Sequence, residues 1–165
     1  MTRIYLSLGS NVGDRAANIA RAIEALAPYG VHVTRQSSLY ETEPADVPAD
    51  LKNQPWFLNS VVEAETELAP AQLMRTLLKI ERSLGRERGV SKGPRLIDLD
   101  ILLFGLQALR TAEVEIPHPR MALRRFVLVP LAEIAPEIRH PVLKKTAAEM
   151  LDLANDNVEV HKFVF

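Results

Sequence analysis

Gly93-Pro94-Arg95-Leu96-Ile97-Asp98-Leu99-Asp100-Ile101-Leu102-Leu103-Phe104 sets an arginine and two carboxylates into an otherwise apolar run. Apolar residues flank each aspartate, so the run predicts a strand. Strand side chains alternate between faces, so Asp98 and Asp100 project from the same one. Two ionised carboxylates that close repel unless a cation or a shared proton offsets the charge. Magnesium meets that need, being held by one or two carboxylates while water and substrate phosphates fill its other positions. A partly exposed strand with an acidic face is the plainer explanation of an isolated Asp-x-Asp, and the preceding loop argues against it. Between Gly85 and Arg95 the loop carries Arg86, Arg88, Lys92 and Arg95 against Glu87, on a backbone loosened by Gly85, Gly89 and Gly93. Guanidinium forks match phosphate oxygens. Loop and strand together therefore offer both halves of a phosphate and magnesium site.

Composition bounds what that site can serve. The 165 residues, 47% of them hydrophobic, suffice for one domain, residues 1–165, with a core that needs no staples. A net charge of -1 argues against bulk capture of nucleic acid or an anionic membrane. Cysteine is absent, which excludes disulfides and thiolate metal sites and fits a reducing compartment. The chain enters the alternating Ile4-Tyr5-Leu6-Ser7-Leu8 almost at once, with no signal-peptide or transmembrane pattern. The expectation is a cytoplasmic protein that works as a monomer.

Along the chain, Ile4–Leu8 predicts a strand broken by Gly9-Ser10-Asn11. That turn is read as structural, since it lacks the longer glycine and lysine signature of nucleotide loops. Asp14 is placed to cap a helix bearing Ile19, Ile23 and Leu26, which Pro28 and Gly30 end. Val31–Thr42 predicts a second strand. The proline-bearing segment Glu43–Asp50 after it reads as a binding loop or lid. In the strand Trp56–Thr66, Leu58, Val62 and Ala64 share one face with Trp56, and Phe57, Asn59 and Val61 share the other. An amide beside an aromatic ring suits a flat heterocycle, although such an asparagine more often bonds nearby backbone. Pro70 opens a helix whose stripe is Leu73, Leu77, Ile80 and Leu84, with Gly85 as its C-terminal cap. Glu81 falls off the stripe near the helix end, where its charge gains nothing from the dipole. Beyond Gly105 lie His118, fixed between Pro117 and Pro119, then Arg120 and Arg124. A short helix follows from Phe126 to Ala135, interrupted by Pro130. Thr146 with Glu149 forms a capping box for a last helix, and Val158–Val164 alternates as a closing strand.

In combination these residues resemble the 6-hydroxymethyl-7,8-dihydropterin pyrophosphokinase family of folate biosynthesis, which transfers diphosphate from ATP to a pterin alcohol. The resemblance rests on Leu6–Asn11, Tyr40-Glu41-Thr42-Glu43-Pro44, Phe57-Leu58-Asn59, Gly93–Asp100, Pro117-His118 and Pro130–Pro136, several separate motifs in one order. It implies an α+β, ferredoxin-like fold with a mostly antiparallel sheet packed between helices. It also implies two magnesium ions bound with ATP by Asp98 and Asp100, and catalytic roles for Arg86 and Arg95 beside those aspartates. Glu81, Arg88, His118 and Arg124 fall where the family contacts ATP. Thr42, Pro44, Phe57, Asn59 and Phe126 fall where it holds the pterin, two aromatics sandwiching the ring. The chain departs from the pattern at Ser91-Lys92, where many members have Arg-Trp, and at Pro119, where some have an aromatic.

A ferredoxin-like RNA-binding module would stack bases on a sheet face. Against it stand an aromatic content of 5% and the slightly negative charge, together with the absence of the Lys/Arg-Gly-Phe-Gly-Phe pattern. A family member that binds ATP but turns over poorly because of Lys92 is the other alternative.

Overall fold

The alternation of Ile4, Leu6 and Leu8 against Tyr5 and Ser7 builds the strand on which the other elements are laid. The computed structural model describes residues 1–44, 50, 53–85 and 95–164. Strand β1 (Thr2–Ser10) lies between β4 (Phe57–Thr66) and β5 (Asp98–Phe104) and pairs antiparallel with both. On the far side of β4 come β2 (Val31–Gln36) and β3 (Tyr40–Thr42), which pair with successive parts of it. The edge strand β8 (Val160–Lys162) pairs with β3. The result is a six-stranded sheet, antiparallel at each of these pairings, with β6 (Leu109–Arg110) and β7 (Glu115–Ile116) as a separate ribbon.

Helices α1 (Arg15–Leu26) and α2 (Pro70–Ser83) bury Ile19, Ala22, Leu26, Leu73, Leu77 and Ile80 against Ile4, Leu6, Leu8, Leu58 and Val62 on one sheet face. The other face carries α3 (Arg125–Ile134) and α4 (Ala147–Leu153), whose Val127, Leu128, Leu131 and Met150 cover Tyr5, Val61 and Leu103. At about 1.5–3 kcal/mol for each fully buried aliphatic side chain, these two layers outweigh any single polar contact in holding the fold. The expected α+β architecture, an antiparallel sheet between helices, is what forms.

Local signals set the ends of the helices. The Asp14 side chain accepts from Ala17 N at 3.1 Å to start α1. The Thr146 hydroxyl accepts from Glu149 N, and Glu149 accepts from Thr146 N, closing the capping box of α4. Pro70 opens α2, and Gly85 follows it at φ +93°, in the left-handed region that favours glycine.

The segment Val31–Thr42, expected as one strand, is divided. Ser37 accepts Val61 N on its hydroxyl at 2.9 Å and donates its own N to Val61 O at 2.9 Å. A side-chain oxygen thus replaces a ladder carbonyl, and regular pairing stops between β2 and β3. The closing strand is shorter than Val158–Val164, although Phe163 N still donates to Leu39 O at 2.8 Å.

Glu63 on β4 ties together the centre of the sheet. It accepts from Tyr5 Oη of β1 at 2.7 Å and from Thr34 Oγ1 of β2 at 2.8 Å. Burial alone would raise the Glu63 carboxyl, but the Tyr5 and Thr34 hydroxyls, with Arg3 and Arg35 nearby, outweigh burial and hold it below the ordinary range. A depressed carboxyl adds stability above the ordinary carboxylate range, and that stability is lost as pH falls through the folded-state value. Tyr5→Phe is expected to cost about 1–3 kcal/mol at pH 7, because it removes a donor from a buried carboxylate. It should also flatten the loss of stability between about pH 5 and 3; urea denaturation at the two pH values measures both effects.

Candidate active site

Strand register alone gathers five of the candidate residues, Asp98, Asp100, Asn59, Phe57 and Thr42. Gly9 of β1 lies opposite Asp98 on one side and Asn59 on the other. Asn59 lies in turn opposite Tyr40, while Phe57 faces Thr42. Asp100 is opposite Ser7, which is opposite Val61. Because side chains alternate, Asp98, Asp100, Ser7, Phe57, Asn59 and Thr42 emerge on the face that carries α3. They line one cavity with Gly9, Leu102, His118, Arg124, Phe126 and Val127.

Asp98 and Asp100 are both half-buried and stand roughly 7 Å apart along the strand, two steps of its rise. Each is flanked by core residues, Ile97, Leu99 and Ile101. The backbone between them is held from below. Glu81, at the end of α2 and only 2% exposed, accepts Leu99 N at 2.7 Å. Its carboxylate meets an amide on the outer edge of β5, which accounts for a buried acid near a helix C-terminus. Glu81 therefore joins the site through Leu99 and is outside the cavity lining.

Gly9 makes the floor flat. A Cβ built there would lie 2.7 Å from Asn59 Oδ1, closer than a Cβ approaches another atom, and at ordinary contact, 3.6 Å, from Phe57 Cδ1. The open space lets the Asn59 amide lie across β1 and donate through Nδ2 to Thr42 Oγ1 at 2.7 Å. Thr42 is buried, so the amide orientation is fixed from two sides.

The opposite wall comes from residues 118–127. His118 N donates to Leu102 O at 3.0 Å, placing the histidine beside the acidic strand. Its Nδ1 accepts from Arg120 N at 3.2 Å, so the ring proton of the neutral form sits on Nε2. Burial first, then the Arg124 and Arg120 charges, push His118 down to about 4. The Arg124 guanidinium lies over the Phe126 ring, 5.4 Å from its centroid. The cavity thus joins an acidic floor to a wall bearing a cation, an aromatic face and a neutral N–H donor.

Pro44 follows Thr42 but lies outside the described lining. Arg95 stands just ahead of Ile97, its backbone bonded in both directions to Asn11, with Arg95 N donating to Asn11 Oδ1 at 2.6 Å and Asn11 N donating to Arg95 O at 3.0 Å. Arg86, Arg88, Ser91 and Lys92 lie outside the described residues, as does most of the segment after Pro44.

Ser7 and Gly9, marked in the sequence only as part of the Leu6–Asn11 motif, line the cavity with Leu102 and Val127, none of which the sequence assigns to the site, and Asn11 is the larger omission. The turn expected at Gly9-Ser10-Asn11 does not break the strand, because Gly9 and Ser10 continue β1 opposite Asn59 and Leu58, and Asn11 follows directly. It is 1% exposed and its Nδ2 donates to Gln54 Oε1 and to Pro55 O, both at 2.9 Å. One side chain thereby clamps the approach to β4 and the approach to β5.

Two oxygen-donor side chains with adjacent solvent-open space suit a hard cation that takes its other ligands from water and phosphate. Among the described residues no cluster of three or more acidic, histidine or cysteine side chains forms an all-protein cage. Gly9→Ala is expected to displace the Asn59 amide and cost about 1–3 kcal/mol by overpacking. Combining it with Asn59→Ala should recover most of that loss in chemical denaturation, because the clash has one main partner.

Comparison with known proteins identifies the family. Residues 5–136 match the family model described as 7,8-dihydro-6-hydroxymethylpterin-pyrophosphokinase (HPPK). Two bacterial proteins called 2-amino-4-hydroxy-6-hydroxymethyldihydropteridine pyrophosphokinase are similar over most of their length. That of Methylorubrum extorquens is 46% identical, covering 84% of this chain and 85% of its own. That of Bacillus subtilis is 45% identical, covering 81% and 78%. The mitochondrial folate synthesis bifunctional protein of Pisum sativum is 45% identical over 79% of this chain, which spans 25% of that longer protein. A Plasmodium falciparum HPPK-DHPS crystal structure superposes with a TM-score of 0.67 at 18% identity, covering 93% of this chain and 43% of its own, and so attests to the fold. By the matched residues and these identities, the chain belongs to the 7,8-dihydro-6-hydroxymethylpterin-pyrophosphokinase family.

Proposed function

We propose that this protein transfers diphosphate from ATP to the hydroxymethyl oxygen of 6-hydroxymethyl-7,8-dihydropterin and releases AMP, a step of folate biosynthesis. The observation that carries the reading is the meeting, in one cavity, of the Asp98 and Asp100 carboxylates with Arg124, His118, Asn59, Phe57 and Phe126. Family membership and the names of the bacterial relatives support it.

The pterin fits between Phe57 and Phe126, with Asn59 and Thr42 addressing its polar edge and Pro44 beside them. Aromatic faces and a pre-oriented amide suit a flat heterocycle that needs both stacking and hydrogen bonds. ATP occupies the Arg124 and His118 side, with Arg88 as a further contact and Glu81 acting through the Leu99 backbone. Asp98 and Asp100 hold magnesium, two ions with ATP, which when bound neutralises phosphate charge. The hydroxymethyl oxygen attacks the β-phosphorus in line. A bond forms there as the bond from that phosphorus to the α-phosphate oxygen breaks, AMP leaves, and Asp100 accepts the hydroxyl proton. Arg86 and Arg95 balance the charge that spreads over the transferred group. In phosphoryl transfer, positioning and charge neutralisation supply most of the acceleration, so a site poor in strong bases suffices.

The chain acts as one domain and as a monomer, in the cytoplasm, on small substrates in preference to nucleic acid or membrane. Its near-neutral charge and lack of cysteine support this. Among the described residues no helix is long and apolar enough to cross a membrane.

Incubation with ATP, magnesium and the pterin alcohol is expected to yield AMP and a diphosphorylated pterin; ADP as the nucleotide product would overturn the reading. Asp98→Ala should lower kcat at least about 100-fold, the scale of losing one electrostatic contact to the transition state, and chelating the metal should abolish turnover. A second expectation concerns His118, whose folded-state value lies near 4. In the free protein its imidazole should stay neutral from pH 8 to 5 by NMR titration, and His118→Gln should leave the shape of the kcat/KM profile over that range unchanged.

A further inference from the structure

We infer that residues 156–161 act as a brace that sets the separation of the two pterin-holding walls, making Asp156 and His161 positioning residues for that subsite. This rests on the proposed assignment of Thr42, Phe57 and Phe126 to the pterin.

The segment lies beyond residues 5–136, the stretch matched by the family model, yet it touches the immediate neighbours of those three residues. At the Phe126 wall, Asp156 Oδ2 accepts Arg125 N at 3.0 Å. Arg125 opens α3, and Arg124 before it provides no side-chain cap. A carboxylate from a distant segment thus satisfies an orphan donor at the helix N-terminus and complements its dipole. Arg125 Nη1 in turn donates to Val158 O at 3.2 Å.

At the opposite wall, Glu159 N donates to Glu43 Oε1 at 2.9 Å, and Glu43 N donates to Glu159 O at 3.3 Å. Val160 then pairs with Thr42 itself. His161 stacks on Trp56, the neighbour of Phe57, with ring centroids 6.2 Å apart and planes 4° from parallel. Trp56 is also held from behind, its carbonyl accepting Arg15 Nη1 at 2.8 Å while Arg15 pairs with Glu41 at 2.7 Å. The segment therefore runs from the first residue of the helix bearing Phe126 to the strand bearing Thr42 and the residue before Phe57. Because a displacement of about 1 Å in a bound group can cost up to 100-fold in rate, a strut tied to the neighbours of Phe126, Thr42 and Phe57 is a means of setting how closely the pterin is held.

The test measures KM for the pterin alcohol and for ATP separately, alongside thermal stability, in Asp156→Ala, Asp156→Asn and His161→Ala. Asp156→Ala and His161→Ala are expected to raise the pterin KM about tenfold while the ATP KM stays within about twofold. Asp156→Asn, which keeps an acceptor oxygen for Arg125 N, should recover most of the loss. A lowered melting temperature with both KM values unchanged, or moving together, would overturn the inference. His161→Ala keeps the test decisive if Asp156→Ala folds poorly, since His161 is exposed. Wild-type turnover to AMP and diphosphorylated pterin is the control. Its absence would strike the proposed function, whereas its presence without the KM split would strike the brace alone.

Discussion

The close approach permitted at Gly9 is the constraint on which the site depends. A sheet face normally presents a row of side chains across neighbouring strands, and here the row opposite Asp98 has a gap where the central strand passes. That gap lets Asn59 lean across β1 and fixes the distance between the acidic strand and the aromatic one. A Cβ at that position would meet Asn59 Oδ1 at 2.7 Å and push the amide aside. The antiparallel register then does the rest, since residues far apart in the chain come opposite one another by pairing alone.

The two faces of the sheet divide the work. Apolar layers on the α1 and α2 side are continuous, running from Ile4 through Leu8 to Leu58 and Leu77. On the other side, α3 and α4 cover only part of the sheet, and the uncovered part is the cavity. Glu133 of α3 accepts from Ser38 N, from Ser38 Oγ and from Tyr40 Oη, the last at 2.6 Å. Burial, then the Glu133 bond and charge, raises Tyr40 to about 12, so it stays a donor at every working pH. These bonds hold α3 against β3 while leaving the end that bears Phe126 facing the cavity.

What could be read from the sequence was whatever short-range spacing encodes. Asp98 and Asp100 share a face because a strand alternates. Asp14, Thr146 with Glu149, and Pro70 with Gly85 mark helix ends because capping is a matter of a few neighbouring residues. The resemblance added roles that spacing does not reveal, and the fold and family it implied are those observed. Long-range polar contacts were out of reach. Asn11 meets Arg95 across 84 positions and Pro55 across 44, and Asp156 caps a helix that begins 31 residues earlier. Glu81 stood out at the end of α2 by its unfavourable place on the helix dipole, but its partner could not be read, since it is a backbone amide on another element and no residue type announces a bare edge N–H. The division of Val31–Thr42 was hidden for a similar reason, since a serine hydroxyl can stand in for a carbonyl only if the facing strand offers the right amide.

Asn11 gives the site a mechanical property of its own. Its one carboxamide accepts from the residue that leads into the acidic strand and donates to the two that lead into the aromatic strand. The leads into β5 and into β4 are therefore tied to one side chain, so neither strand entrance can shift without straining the bonds that hold the other.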